Sequence, residues 1–346
     1  MTRRLLVTWL YVPGDRPDRF AKAVASGADV VIIDLEDAVA PARKDAAREN
    51  AIAYLRARHD GRPPTAGDAN PGADPGANPG ATPGVNPGAV LGVAPGVNPG
   101  AAPGRDPGAD LGADFGVRVH AGPGAGGGGP EVHVRVNDPA TARGRADLAA
   151  VGDLADAVRL PKVESAAVLD GLAGAPAYAL LESAAGIVAA REIAAHPEVA
   201  GVALGEQDLA AELSITDEQA MNHLRLQVVL AAAAAGLPPV PMSVYPDLKD
   251  EAGLLASCRA GRALGLFGRT AIHPGQLPAI RRAFRPTEEE AARAAEIVAA
   301  AERAERAGVG AVALPDGRFV DVPVVARARR TVDLARRLAD PPGFNG

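Results

Sequence analysis

Apolar runs that stop abruptly at carboxylates recur along this chain and constrain its fold more than any other feature. The first, VVIIDLEDAV, ends in Asp34, Glu36 and Asp37; a second, YALLE, ends in Glu182; a third, GVALGEQD, runs into Asp208. An unpaired acid packed at the end of a buried strand is costly, so acids at three strand ends point to a metal or other cation at one rim of a parallel barrel. LLVTWLYV, EVHVRVN, AVRLPKV, the stretch around PVPMSVY and Gly268 to His273 read as further short strands. Alanine-rich segments suited to helices lie between them: Arg16 to Ser26, Arg43 to Arg58, Gly186 to Ala195, Thr216 to Ala235 and Glu251 to Gly265. Such alternation implies a parallel sheet covered by helices. Roughly eight units predict an α/β fold of the closed (β/α)8 TIM barrel type. A doubly wound open sheet is the alternative, but no G-x-G-x-x-G follows the first strand.

Two segments stand outside this alternation. From 61 to 130 a Pro-Gly phrase repeats, as in NPGADPGANPGATPGVNPG, and GAGGGGP closes it. Proline removes donors and glycine maximises chain entropy, so this stretch is expected to be a disordered loop insertion. It divides the barrel into residues 1–60 and 131–285. Residues 286–346 form a C-terminal appendix: a helix from Thr287 to Ala307 opened by a Thr287/Glu290 capping box, a hairpin in AVALPDGRFVDVP turning at Asp316-Gly317, and a last helix from Val324 to about Leu338. A barrel does not need this appendix, which is free to reach a neighbouring subunit.

Composition excludes some partners. A net charge of −6 argues against a nucleic-acid surface. No stretch approaches the ~18 apolar residues of a membrane span. The N-terminal MTRRLLVTWLYVPGD runs into Pro13-Gly14-Asp15 with no cleavage pattern, so it reads as a first strand rather than a signal peptide. Cys258 is the only cysteine, consistent with a reducing cytoplasm.

Glu182 and Asp208, hard oxygen donors at strand ends without nearby His or Cys, suit Mg²⁺ as a pair; taken singly, each is as well explained as a cap of the following helix. Arg135, flanked by valines in HVRVN, projects from a strand and needs an anion, either Asp34 or Glu36 or a substrate oxygen. Arg16 opens a helix after a Pro-Gly turn, a place that suits phosphate or carboxylate and equally suits an ordinary surface arginine. His273 ends the last strand, where a packed structural role outweighs a catalytic one. Lys162 precedes Val163-Glu164 at an expected helix start, which favours a binding or structural role over a Schiff base.

Taken in order, YVPGDRPDRFAKA, DVVIIDLEDAV, VRVN, LPKVES, LLESAAGI, LGEQDL, GLFGRTAIHPGQL and RFVDVP resemble the citrate lyase β-subunit family, within the HpcH/HpaI aldolase and malyl-CoA lyase group. The resemblance implies a barrel of the phosphoenolpyruvate/pyruvate type, Mg²⁺, a thioester substrate on CoA or an acyl carrier, and trimers or hexamers. On that pattern Glu182 and Asp208 bind the metal, Arg135 touches substrate, and Glu36 and Asp37 line the site. Asp321 matches an aspartate inserted into a neighbour's active site, and Arg16 a position near the CoA phosphates; Lys162 and His273 are the remaining candidates for substrate or CoA contacts. The chain reads Glu182-Ser183-Ala184-Ala185-Gly186 where many relatives read E-T-A-R-G, and Met242 where many carry an acid. The expected activity is cleavage or condensation of a malyl-, citramalyl- or citryl-type thioester. A malate synthase, a malyl-CoA thioesterase, a citryl carrier-protein lyase subunit and a non-catalytic scaffold are the alternatives.

Overall fold

The computed structural model describes residues 5–61, 129–172, 176–307, 312–313 and 319–339. Seven strands, β1 (Thr8–Pro13), β2 (Val30–Asp34), β3 (Glu131–Arg135), β4 (Ala157–Leu160), β5 (Ala177–Leu181), β6 (Val199–Leu204) and β7 (Arg269–Ala271), form one parallel sheet in the order β6-β5-β4-β3-β2-β1-β7. β2, β5 and β6 are buried at every residue, as strands covered on both faces must be. The sheet is curled. Trp9 on β1 and Tyr178 on β5 have ring centroids 5.5 Å apart, although three strands separate them along the ladder. Four strand spacings in a flat sheet would place them about 19 Å apart. Trp9, Val30, Ile32, Ala157, Tyr178 and Ala200 form the interior cluster, and a larger apolar cluster lies between the outer face and the helices.

The stretch around PVPMSVY is not a full strand. Met242 makes one parallel bridge to Arg269, with its N–H on the Gly268 carbonyl and its carbonyl accepting from Thr270. Pro238, Pro239, Pro241 and Pro246 remove the donors a longer ladder needs. Among the described residues no ladder joins this segment to β6, so closure into an eight-stranded barrel is not seen in the hydrogen bonding.

Most expected helices are present with adjusted ends. The Arg43 segment forms Lys44–His59, the Thr216 segment Glu218–Ala234, and the Glu251 segment Glu251–Ala263. The Arg16 segment is a 3-10 turn (Pro17–Arg19) followed by Phe20–Val24, and the Gly186 segment is two short helices, Ala184–Val188 and Ala190–Ala195. No helix starts at Val163; the chain makes a 3-10 turn only at Ala166–Leu169. In the appendix, Glu288–Arg306 opens with the capping box, Thr287 Oγ1 accepting from the Glu290 N–H and the Thr287 N–H donating to the Glu290 carboxylate. A two-residue antiparallel pair, β8 (Val312–Ala313) and β9 (Phe319–Val320), leads into the helix Val322–Ala339. The Pro-Gly segment, apart from its two ends, and the Asp316-Gly317 turn lie outside the described residues. Among the described residues no helix is long and apolar enough to cross a membrane.

Candidate active site

The carboxyl ends of β2, β3, β5 and β6 meet at one rim. Asp34, the last residue of β2, is fully buried and accepts the N–H groups of Glu36 (2.9 Å) and Ala38 (3.1 Å), which folds the next loop back over the strand end. Arg135, the last residue of β3 and its register partner, forks onto the same carboxylate through Nε (2.8 Å) and Nη2 (2.6 Å). Its Nη1 lies 2.9 Å from Glu36 Oε2 and 3.0 Å from Asp37 Oδ2. The Asp37 contact is a hydrogen bond; the Glu36 contact is a near charge off the N–H direction. The guanidinium also stacks over the Tyr11 ring at 4.8 Å. Both partners expected for Arg135, Asp34 and Glu36, are therefore present. Asn137 pins the loop from below, its Nδ2 donating to the Leu35 carbonyl (3.0 Å) and to Asp147 (2.6 Å), while Lys44 donates to its Oδ1.

Glu182 follows β5 and is buried. It does not cap the helix after it, because Ser183 does so by accepting the Gly186 N–H. Its Oε1 accepts the Lys162 backbone N–H at 2.8 Å. Asp208 sits in the first turn of Glu206–Leu213, after β6, where its carboxylate meets its own backbone N–H. The capping explanation thus fails for Glu182, whereas the first-turn place of Asp208 fits it as well as it fits a metal.

The electrostatics are those of an acid surplus. Burial, opposed by Arg135, pushes the Glu36 carboxyl up to about 8, with Asp37 and Glu182 adding to the rise. Burial likewise raises Glu182 to about 7, relieved by the Lys162 N–H and aggravated by Asp208. Asp208 is exposed as a residue, yet its carboxyl is raised by the surrounding protein first and by Asp37 next. Two buried carboxyls, Glu36 and Glu182, and two exposed ones, Asp37 and Asp208, thus crowd a single guanidinium already forked onto Asp34, and such a surplus suits a further cation. Among the described residues no group of three or more His, Cys, Asp and Glu side chains forms a complete metal cage. Mg²⁺ does not require one: one or two carboxylates plus water and substrate oxygens suffice. Glu182 and Asp208 fit that donor set.

The other candidates lie apart from the acid group. Arg16, half-buried after β1, forks onto Asp18 through Nε (3.0 Å) and Nη2 (2.8 Å). His273, exposed after β7, accepts the Gly275 N–H on Nδ1 (3.0 Å) and caps the turn Pro274–Gln276, a structural role. Lys162 contributes its backbone, with its side chain exposed. Asp321 accepts the Val324 N–H (3.1 Å) at the start of the last helix and touches none of the acid group within its own chain. Sequence reasoning missed Arg159 on β4. Wholly buried, its guanidinium lies 4.6 Å over Trp9 and 5.3 Å from the Tyr178 ring, with Nε and Nη2 lacking hydrogen-bond partners. The signal was available, since an arginine interrupts the apolar run AVRL as Arg135 interrupts VRV.

The profile of the HpcH/HpaI aldolase/citrate lyase family matches residues 7–60 and 124–274, which hold all of this rim. The chain belongs to that family. A citrate lyase subunit beta-like protein of Mycobacterium tuberculosis is 33% identical over 92% of each chain. A (3S)-malyl-CoA thioesterase of Cereibacter sphaeroides is 43% identical over 60% of this chain and 74% of its own. Among solved structures, CitE from M. tuberculosis in complex with magnesium, acetoacetate and coenzyme A superposes with a TM-score of 0.67 at 31% identity, covering 98% of this chain and all of that one.

Proposed function

We propose that this protein is a Mg²⁺-dependent carbon–carbon lyase acting on a 3-hydroxyacyl thioester of the malyl-, citramalyl- or citryl-CoA class. The observation that carries the reading is the surplus of Glu36, Asp37, Glu182 and Asp208 around Arg135 at the carboxyl rim. The magnesium and coenzyme A of the M. tuberculosis neighbour support it. In this reading Glu182 and Asp208 hold Mg²⁺, which when bound supplies Lewis-acid polarisation of the keto acid's oxygens.

In cleavage the β-hydroxyl gives its proton to solvent water and becomes the keto carbonyl, the bond between the α- and β-carbons breaks, and that bond's electron pair passes to the thioester enolate. Of the five Arg135 donors, Asp34 takes two and Asp37 one, which leaves one N–H on each Nη, and the free Nη2–H faces the enolate oxygen in our scheme. Comparable donors contribute about 3–4 kcal/mol to transition-state stabilisation. Asp321, brought by a neighbouring subunit of a trimer or hexamer, delivers the proton that turns the enolate into the acyl thioester. Arg16 takes the CoA phosphates by giving up Asp18. The same reading takes the curled sheet as a (β/α)8 barrel closed by residues 240–242, carrying residues 286–346 as an appendix.

Hydrolysis of the same thioester is the second reading, favoured by the 43% identity to a (3S)-malyl-CoA thioesterase. Mass spectrometry of the purified protein with Mg²⁺ and a panel of malyl-, citramalyl- and citryl-CoA separates the two. Acetyl-CoA plus a keto acid, lost on EDTA treatment, supports the lyase; free CoA plus the hydroxy acid supports the hydrolase. No turnover of any of them counts against both.

A further inference from the structure

Among the described residues two non-glycines hold a positive φ, Lys162 at 55° and Ser214 at 54°. Ser214 ends the helix Glu206–Leu213, a position where left-handed residues are common. Lys162 ends no helix. Side chains bearing a Cβ enter this region against a steric penalty, and the conformation persists only where surrounding contacts over-determine it.

Those contacts are visible on both sides. Pro161 is buried between Leu160, the last residue of β4, and Lys162. The next residue, Val163, is buried and its N–H bonds to the Leu180 carbonyl of β5 at 3.3 Å. Gly186 approaches from the other side, where a Cβ would come 2.7 Å from the Val163 carbonyl oxygen. With its neighbours fixed, the left-handed turn aims the Lys162 N–H at Glu182 Oε1, 2.8 Å away. On the opposite flank of Glu182, Gly205 comes so close that a Cβ there would overlap Glu182 Cβ and lie 2.8 Å from Oε2. The carboxylate is clamped between a main-chain donor and a glycine.

We propose that Lys162 is a positioning residue whose left-handed backbone, independently of its ammonium group, aims Glu182 at the cation. This inference rests on the Mg²⁺ reading above. Groups that orient a metal ligand from behind commonly control affinity by about 10–100-fold.

The test is the Mg²⁺ affinity of the full chain by calorimetry without substrate, with circular dichroism to verify folding. Lys162→Gly and Lys162→Asn keep the N–H and accept a positive φ, so both should bind Mg²⁺ like the wild type. Lys162→Ala, which keeps the N–H and the Cβ and loses only the ammonium, should also bind like the wild type. Lys162→Val, whose branched side chain resists this conformation, should bind about 10–100-fold more weakly. If Lys162→Val does not fold, Lys162→Thr, branched at the same carbon, takes its place with the same direction of change expected. A loss shared by Gly, Asn and Ala would assign the effect to the ammonium, and no loss in the branched variant would remove the positioning role; either overturns the inference. The metal reading fails separately, if the wild type shows no saturable Mg²⁺ binding or if Glu182→Gln and Asp208→Ala bind as it does.

Discussion

Arg135 and Asp34 meet as a planar fork on a carboxylate, at 2.8 and 2.6 Å, and only a guanidinium can make that contact while also reaching Asp37. Arg135→Lys keeps the charge but forfeits the fork, the Tyr11 stacking and the free Nη2–H. We expect its kcat/KM on the best thioester to fall by about 10²–10³, with Mg²⁺ affinity changed little; an active Lys variant would remove Arg135 from the reaction. Glu36 carries the pH dependence. In the folded chain it holds its proton up to about pH 8, and Glu182 to about pH 7, whereas an ordinary glutamate releases it near 4.5. Between those limits the folded state binds more protons than the unfolded one, so both groups reduce stability as pH rises. His133, buried and with its pKa lowered by burial, acts in the opposite sense, but only below its ordinary value of 6.5. From pH 6.5 to 8 the carboxyl effect therefore stands alone. The melting temperature of the metal-free wild type should fall across that window, and Glu36→Gln should flatten the fall.

At the level of elements, the loop after β2 is held in place by a residue of the next strand's exit. Asn137→Ala would strip the Leu35 carbonyl and Asp147 of a donor and Lys44 of its acceptor. Leaving buried polar groups unpaired costs about 1–3 kcal/mol, readable by urea unfolding. Activity should drop as well, because Glu36 and Asp37 follow Leu35 directly. The same scale shows what could be read from residues alone. β2, β5 and β6 were legible because unbroken apolar runs have one cheap solution, a strand buried on both faces. The segment at Met242 was not, because its prolines suit a single bridge as well as a strand. The turn at Lys162 was misjudged as a helix start, since LPKVES carries no glycine to announce a positive φ. Asp34, Glu36, Asp37, Glu182 and Asp208 were visible as acids at strand ends, but their shared dependence on Arg135, Asn137 and the Lys162 peptide is tertiary. Arg159 was passed over although its setting matched that of Arg135.

For the whole molecule, the placement of Asp321 bears on assembly. It lies at the start of the last helix, in contact with none of the rim acids of its own chain. If a neighbouring subunit supplies it, Asp208→Ala and Asp321→Ala should each be inactive alone. Dissociated, mixed and reassembled, they should recover a fraction of wild-type turnover, because some sites then combine an intact rim with an intact Asp321. No recovery would place Asp321 outside a shared site.

The curl of the sheet has an optical consequence. Trp9 is the only tryptophan in the chain, and it sits in the interior with its ring edge-on to His133 and Tyr178 and the Arg159 guanidinium over its face. Its emission is therefore a one-site report on whether β1 and β5 still face each other across the interior. Folded protein should emit blue-shifted light dimmed by its neighbours, and opening of the sheet should redden and brighten it. The appendix carries no tryptophan, so its loosening would leave this signal unchanged.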